Sequence, residues 1–279
     1  MMIKFFVPFI YSIETRYAKQ IPKGVLLYLL IYLIPQFLLK WCFATECSEL
    51  IWLLTILLVT DLYEIGYIQN DTETIKKEAN PTMRLSQKEL AFYEQDKVAI
   101  YFSRFLGAFA ASIILLCCFG FSSFSILTIS IIWLLLPLYY LYNSMRNKWN
   151  LLVLHILTSY RCIMPMILCM NDSQDKMWEG IICAYILYPL PTILQQCVMG
   201  KFGIKVKCLN RIISNYSERN IFRIRYYAIL FLLCVLLTAV RDIEWVYTVL
   251  PAYWLMLRIF EYLFYKKDIS NSCQSLRQR

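Results

Sequence analysis

The sequence predicts an all-α, polytopic membrane bundle of about eight transmembrane helices, forming one integral membrane domain over residues 1–279. Of the 279 residues, 59% are hydrophobic and 17% are charged, which is more apolar than a soluble domain requires. Several apolar runs reach the roughly 20 residues that a helix needs to cross a hydrocarbon core of about 30 Å. Lysine and arginine also concentrate between alternate runs, as they do in cytoplasmic loops.

The eight predicted spans follow one another with short turns on one side of the membrane and longer polar loops on the other. Both long loops, 70–97 and 200–225, fall on the same side, so we expect any chemistry to occur there. In chain order, the spans cover about residues 24–43, 49–69, 98–119, 123–143, 150–170, 178–199, 226–240 and 244–264.

The positive charges test this arrangement, because short cytoplasmic loops retain lysine and arginine. The side with the long loops carries most of them, whereas the opposite side keeps only Lys40, Lys176 and Arg241. We therefore expect both termini and the site in the cytoplasm and the chain in a plasma or inner membrane. The net charge of +9 then faces anionic headgroups, and no nucleic-acid partner is needed to explain it.

A stripe of polar and acidic residues extends from the second span into the following loop. If the helix continues past Asn70 until Asn80-Pro81 stops it, residues spaced three or four apart share one face. A carboxylate at membrane depth costs about 2.5–3.5 kcal/mol, so this face needs cations, water or a bound Mg²⁺. The residues on the stripe are Asp61, Glu64, Tyr67, Asp71, Thr74 and Glu78.

Structural explanations for the same residues remain open. The part from Asn70 to Glu78 could be a helix end solvated at the interface. The deeper Asp61 and Glu64 could pair with Arg104 or Arg161 inside the bundle.

The stripe and its flanks resemble a known family, the UbiA-type intramembrane prenyltransferases. That family carries an Asn-Asp-x-x-Asp-x-x-x-Asp segment after its second helix, followed by a basic stretch ending in Arg-Pro. Asn70 and Asp71 match its first two positions, Thr74 and Glu78 stand at the next two acidic positions, and Arg84 stands at the arginine. The resemblance implies that Asn70, Asp71 and Glu78 bind Mg²⁺ and that Arg84 contacts the substrate.

Later segments are similar to the same family over about residues 20–265. "LYNSMRNK" (141–148) resembles its Tyr-x-x-x-x-Lys loop, which implicates Tyr142 and Lys148 in substrate binding. "LLVLHILTSYR" (151–161) is similar to the fifth helix of the branch that transfers phosphoribose to a polyprenyl phosphate, and it ends in Arg161. Arg161 lies near the middle of its span, and we expect it to bind a phosphate or carboxylate group of the substrate.

The family's second acidic motif has no counterpart, because the 200–225 loop is basic, with Glu218 as its single acidic residue. Lys201 and its neighbours would instead bind phosphate directly, although the positive-inside rule alone also explains their charge.

Together these features predict an intramembrane, Mg²⁺-dependent transferase acting on a polyprenyl phosphate or diphosphate. It would move a prenyl or sugar-phosphate group to or from a small-molecule or sugar-phosphate co-substrate. His155 is the only histidine, so general-base work would fall to a carboxylate such as Glu64 or Asp61. The resemblance adds Asp71 and Glu78 to the predicted catalytic residues. The alternatives are a non-catalytic membrane protein of the same fold and a lipid-linked glycan carrier.

Overall fold

The fold was examined in a computed structural model that describes residues 2–17, 21–78, 81–145, 147–170, 175–199, 216–241 and 244–264. The structure is 85% helical, and no strand occurs in these ranges. The all-α prediction is therefore confirmed.

In the described part of the chain, eight long helices follow an N-terminal segment of short helical turns, residues 2–17. They are α1 (Pro22–Phe43), α2 (Glu49–Thr72), α3 (Gln87–Cys118), α4 (Ser123–Ser144), α5 (Asn150–Cys169), α6 (Met177–Cys197), α7 (Tyr216–Arg241) and α8 (Val246–Phe264).

Within the described ranges, seven helices are long and apolar enough to cross a membrane, namely α1 to α6 and the Asn220–Val240 part of α7. The chain is therefore an integral membrane protein. The eighth predicted span, α8, is helical but is not among these seven, and it carries Arg258 and Glu261. The placement of both termini on one side depends on α8 crossing as well and stays a prediction.

Serine side chains begin three of the membrane helices. The hydroxyls of Ser48, Ser86 and Ser122 each accept a hydrogen bond from the backbone N–H three residues later. At α3 the side chain of Glu89 also accepts from the Ser86 N–H at 2.6 Å, which completes a capping box. These bonds satisfy N–H groups that a helix start otherwise leaves without partners.

The chain divides into two compact units. The first comprises Met1–Arg146 with Ile156–Ile181, and the second comprises Asn147–His155 with Ile182–Arg279. In the first unit α2 is the central helix, because 72% of its apolar stretch is buried, against 33% for α3 and α4. Large apolar side chains such as Leu50 and Phe102, 66% and 67% exposed, form the surface that lipid covers.

Two sequence-based boundaries are wrong. The α2 helix ends at Thr72 and is followed by a 3₁₀ turn, Thr74–Lys77, and Glu78 has extended backbone. The polar face predicted for this helix therefore does not extend to Glu78. The loop predicted over 70–97 is also shorter, because α3 already begins at Gln87. Of the loop predicted over 200–225, residues 200–215 lie outside the described part.

Gly66 lets α4 approach α2 closely. A Cβ at this position would lie 2.1 Å from Cγ of the Tyr139 ring, and the Tyr139 ring also packs edge-on against Tyr63 at 4.8 Å between centroids. A rigid ring in a packed core cannot move aside without disturbing its neighbours.

We expect Gly66→Ala to destabilise the protein by about 1–3 kcal/mol through overpacking. The control is Gly180→Ala, whose Cβ would meet the flexible end of Met166 at 2.6 Å and should cost less. Thermal unfolding of the purified protein in detergent compares the two variants. Equal midpoints for both would contradict this account of the helix contact.

Candidate anion-binding site

The two deep carboxylates of α2 form a buried ionic centre with Arg104 of α3. Asp61 and Glu64 are 1% and 0% exposed. Nη1 of Arg104 lies 2.7 Å from Oδ1 of Asp61 and 3.0 Å from Oε2 of Glu64. Arg161 does not provide the partner for these carboxylates. Of the two structural alternatives for this pair, the structure shows the one with Arg104.

The remaining donors of Arg104 hold the N-terminal segment. Its Nε donates to the carbonyl of Phe5 at 2.8 Å, and Nη2 donates to the carbonyls of Lys4 and Val7 at 2.9 and 3.1 Å. Glu64 also accepts the backbone N–H of Ser12 at 2.6 Å. The buried ionic centre thus fixes residues 4–12 in the protein interior.

Apolar packing completes this attachment. Phe5 and Tyr11 are fully buried in a cluster with side chains from α2, from α3 and from the segment between them; these are Ile68, Leu85, Tyr93 and Ile100. Residues 2–17 are therefore an integral part of the first unit.

The N-terminal segment delivers Arg16 to Asp71, at the end of α2. The Asp71 side chain is fully buried and lies 2.9 Å from Nη2 of Arg16 and 3.0 Å from Nη1 of Arg84. It also accepts hydrogen bonds from the Tyr11 hydroxyl at 3.0 Å and from the Asn70 amide at 3.1 Å. Both carboxylate oxygens are thus occupied by donors of the protein itself.

The surroundings of Asp71 keep these donors protonated. Burial lowers the pKa of Arg16, but the charge of Asp71 and the hydrogen bond to it more than compensate, and the pKa lies above its usual value. Burial, followed by the Asp71 charge, raises the pKa of Tyr11 well above its usual value. Arg16 therefore stays a cation and Tyr11 stays a donor at every physiological pH.

Tyr67 connects two arginines from different parts of the chain. The guanidinium of Arg16 lies over its ring, 4.2 Å from the centroid. Nη1 of Arg161 donates to its hydroxyl at 3.4 Å. Nη1 of Arg16 is buried and has no hydrogen-bond partner in the structure, so one charged donor here lacks an acceptor.

Aromatic rings and hydroxyls surround the guanidinium of Arg161. It lies 4.2 Å from the ring centroid of Tyr32 and 5.1 Å from that of Tyr63, and it donates to the Tyr17 hydroxyl at 3.1 Å. In the part of the chain that the structure describes, no carboxylate lies within ion-pair distance of it. Cation–π contacts stabilise such a charge, but they leave it without a counterion.

We call Arg16, Arg84, Arg161, Asp71 and Tyr67 the arginine cluster. The cluster holds three guanidiniums and a single carboxylate, Asp71, which pairs with Arg16 and Arg84 but not with Arg161. An excess of positive charge beside an unsatisfied N–H donor is the property of a site for an anion.

The other predicted site residues occupy different places. Tyr142 packs edge-on against Tyr139, at 6.3 Å between ring centroids. Lys148 is exposed just before α5. Glu78 lies beyond the 3₁₀ turn, and Lys201 lies outside the described residues.

The residues predicted to hold Mg²⁺ do not fit the ion in the arrangement that the structure describes. Asn70 directs its amide nitrogen, a donor, at Asp71, whereas Mg²⁺ requires oxygen ligands. Asp71 is occupied by guanidiniums, and no group of three or more His, Cys, Asp or Glu that could hold a metal occurs among the described residues. The Mg²⁺ cofactor stays a prediction.

Sequence reasoning missed several residues of the cluster and its surroundings. Arg16 appeared only as a cytoplasmic charge, and the tyrosines around Arg161, namely Tyr17, Tyr32 and Tyr63, carried no distinguishing pattern. The one available signal was Arg161 itself, a lone cation near the middle of an apolar span.

No protein-family model, no curated protein and no solved structure matches this chain. The resemblance to the UbiA-type prenyltransferases therefore stays a prediction based on the residues quoted above.

We expect Arg104→Gln to destabilise the protein by about 3–5 kcal/mol, because it leaves two buried carboxylates without their cation. The same change should release the N-terminal segment, which the measurement detects as faster tryptic cleavage after Lys4 or Arg16. Lys88→Gln, at an exposed position of the same helix, is the control. Cleavage at the wild-type rate in the Arg104 variant would refute the anchoring role.

Proposed function

We propose that this protein is an intramembrane transferase that binds a polyprenyl phosphate or diphosphate, with the phosphate at the arginine cluster and the lipid chain along the helices. The observation that carries the proposal is the guanidinium of Arg161, which has tyrosine partners and no counterion among the described residues. A phosphate group supplies the missing charge and accepts bidentate hydrogen bonds from arginine.

The position of the cluster fits an amphipathic ligand with a charged head. Asp71 lies at the end of α2, where Arg84 of the following segment contacts it, and Tyr67 lies about one turn deeper along α2. Arg161 is near the middle of α5, about 16 Å along the helix from its first residue at 1.5 Å per residue. The cluster thus extends from a helix end toward the interior of the bilayer. This position suits the phosphate of a lipid better than a fully hydrated solute.

The arginines also suit the chemistry of group transfer. The bond between the substrate carbon and the phosphate oxygen breaks, and its electron pair goes to the leaving phosphate. The acceptor forms the new bond and loses a proton, which the departing phosphate oxygen can take. Fixed guanidiniums would stabilise the charge that develops on this leaving group. Asp61 and Glu64 are engaged by Arg104 and Ser12, so their predicted role as bases has less support.

A second candidate is a non-catalytic protein that binds or carries a polyprenyl-phosphate lipid. The observation that favours it is the engagement of Asp71 by Arg16 and Arg84, which leaves no carboxylate of the cluster open to a metal or to a substrate proton. Both candidates share the phosphate site and differ in turnover.

Binding of a polyprenyl phosphate to the purified full-length protein tests the shared part. We expect Arg161→Gln to weaken binding about 10-fold or more, because it removes a charge-assisted hydrogen-bonding partner. Arg16→Gln should act in the same direction, and Arg161→Lys should restore binding only in part. The control, Lys77→Gln, removes an exposed cation from the 3₁₀ turn that follows α2.

The binding measurement is repeated with Mg²⁺ and with a chelator. Affinity that persists in chelator supports direct recognition by arginine, and affinity that requires Mg²⁺ supports the cofactor predicted from the sequence. Equal affinity of wild type and Arg161→Gln would overturn the proposed site. Release of phosphate or diphosphate from the bound lipid in the presence of acceptors then separates the transferase from the non-catalytic carrier.

A further inference from the structure

The second unit contains its own pair of arginines, Arg223 of α7 and Arg258 of α8. Arg223 is near the start of the membrane-crossing part of α7, which begins at Asn220, and Arg258 is near the end of α8 at Phe264. Their helices pack together and run in opposite directions, so the two residues lie toward the same end of the helix pair. Tyr227, one turn after Arg223, stacks on Trp254, one turn before Arg258, at 5.6 Å between ring centroids, which brings the two arginines near each other.

The charges of this pair are not balanced. Nη1 of Arg258 lies 2.5 Å from Oε2 of Glu261. Arg223 instead donates from Nε and Nη2 to the neutral amide oxygen of Gln195, at 3.0 and 2.5 Å. In this part of the described chain, two guanidiniums therefore share one carboxylate. Like charges at such a position repel unless an anion joins them.

Arg258 also has an unused donor. The residue is only 5% exposed, and its buried Nε has no hydrogen-bond partner among the residues that the structure describes. A buried N–H on a charged group that lacks an acceptor is costly. Arg223 is partly exposed, which gives a ligand a path to the pair from the surface of the unit.

Aromatic packing holds the pair in place. The Trp254 ring lies 5.2 Å from the Arg258 guanidinium and stacks on Tyr227 at 5.6 Å between centroids. The Tyr227 hydroxyl donates to the carbonyl of Leu187 at 2.6 Å, which attaches α7 to α6. The guanidiniums are thus positioned before any ligand arrives, which lowers the entropic cost of binding.

We propose that Arg223 and Arg258 form a second anion-binding site, specific for a phosphate group. Arg258 Nε and the Nη groups of both residues would donate to the phosphate oxygens, and Gln195 would orient Arg223. The phosphate comes from the headgroup of an anionic phospholipid or from a soluble phosphate compound. This inference does not depend on the proposed function, because it concerns residues of the other unit.

The test measures the shift in thermal unfolding midpoint of the full-length protein in detergent with added phosphatidylglycerol, phosphatidylcholine or inorganic phosphate. Native mass spectrometry counts the bound lipids. We expect phosphatidylglycerol to bind and to stabilise wild type, and Arg223→Gln and Arg258→Gln to weaken that binding about 10-fold. The matched control is Arg225→Gln, which removes an exposed cation two residues away on the same helix and should bind as wild type does.

The probes separate the two sources of phosphate. Stabilisation by phosphatidylglycerol supports a lipid headgroup, and stabilisation by inorganic phosphate alone supports a soluble ligand. Where a Gln variant does not fold, Arg223→Lys keeps the charge, loses the planar fork and should still weaken binding several-fold. The proposal would be overturned if the Arg223 and Arg258 variants bound phosphatidylglycerol as wild type does. It would also be overturned if phosphatidylglycerol and phosphatidylcholine bound equally and inorganic phosphate had no effect. Loss of polyprenyl-phosphate binding in Arg161→Gln would concern the arginine cluster only and would not count against this second site.

Discussion

The first unit depends on one buried cation, Arg104, which meets two carboxylates of α2 and three backbone carbonyls of the N-terminal segment. A guanidinium can satisfy so many acceptors because its five donors point in fixed directions. Charges buried at this depth persist only when they are fully paired. The pairing in turn determines where residues 2–17 lie, and therefore where Arg16 and Tyr17 enter the arginine cluster.

The stripe on α2 thus contains two different arrangements. Its deeper part, Asp61 and Glu64, is structural, and Arg104 supplies one positive charge to its two carboxylates. Its outer part, around Asp71, is dominated by positive charge, because Arg16, Arg84 and Arg161 outnumber the carboxylate. The sequence favoured an acidic pole that collects metal ions, whereas the geometry favours a basic pole that meets phosphate directly.

Apolar length predicted most of the membrane helices within a few residues, because the bilayer itself sets that length. The α3 and α7 helices begin well before their apolar runs, at Gln87 and Tyr216. Depth also identified Asp61, Glu64 and Arg161 as residues that need partners. The partners themselves were harder to predict. Arg104 donates mostly to main-chain carbonyls, and the side-chain sequence does not show which carbonyls will accept. Arg16 contacts Asp71, which is 55 positions away in the sequence. The early end of α2 at Thr72 was missed because local spacing cannot show where tertiary contacts stop a helix.

The ionic centre between α2 and α3 also constrains how the chain enters the bilayer during synthesis. Alone, α2 would carry two uncompensated carboxylates into hydrocarbon, at about 2.5–3.5 kcal/mol each. Its counterion arrives on the next helix, some forty residues later in the chain. We therefore expect the translocation machinery to retain the first of these helices until the second emerges, so that the two partition into lipid together with Arg104 paired to both carboxylates.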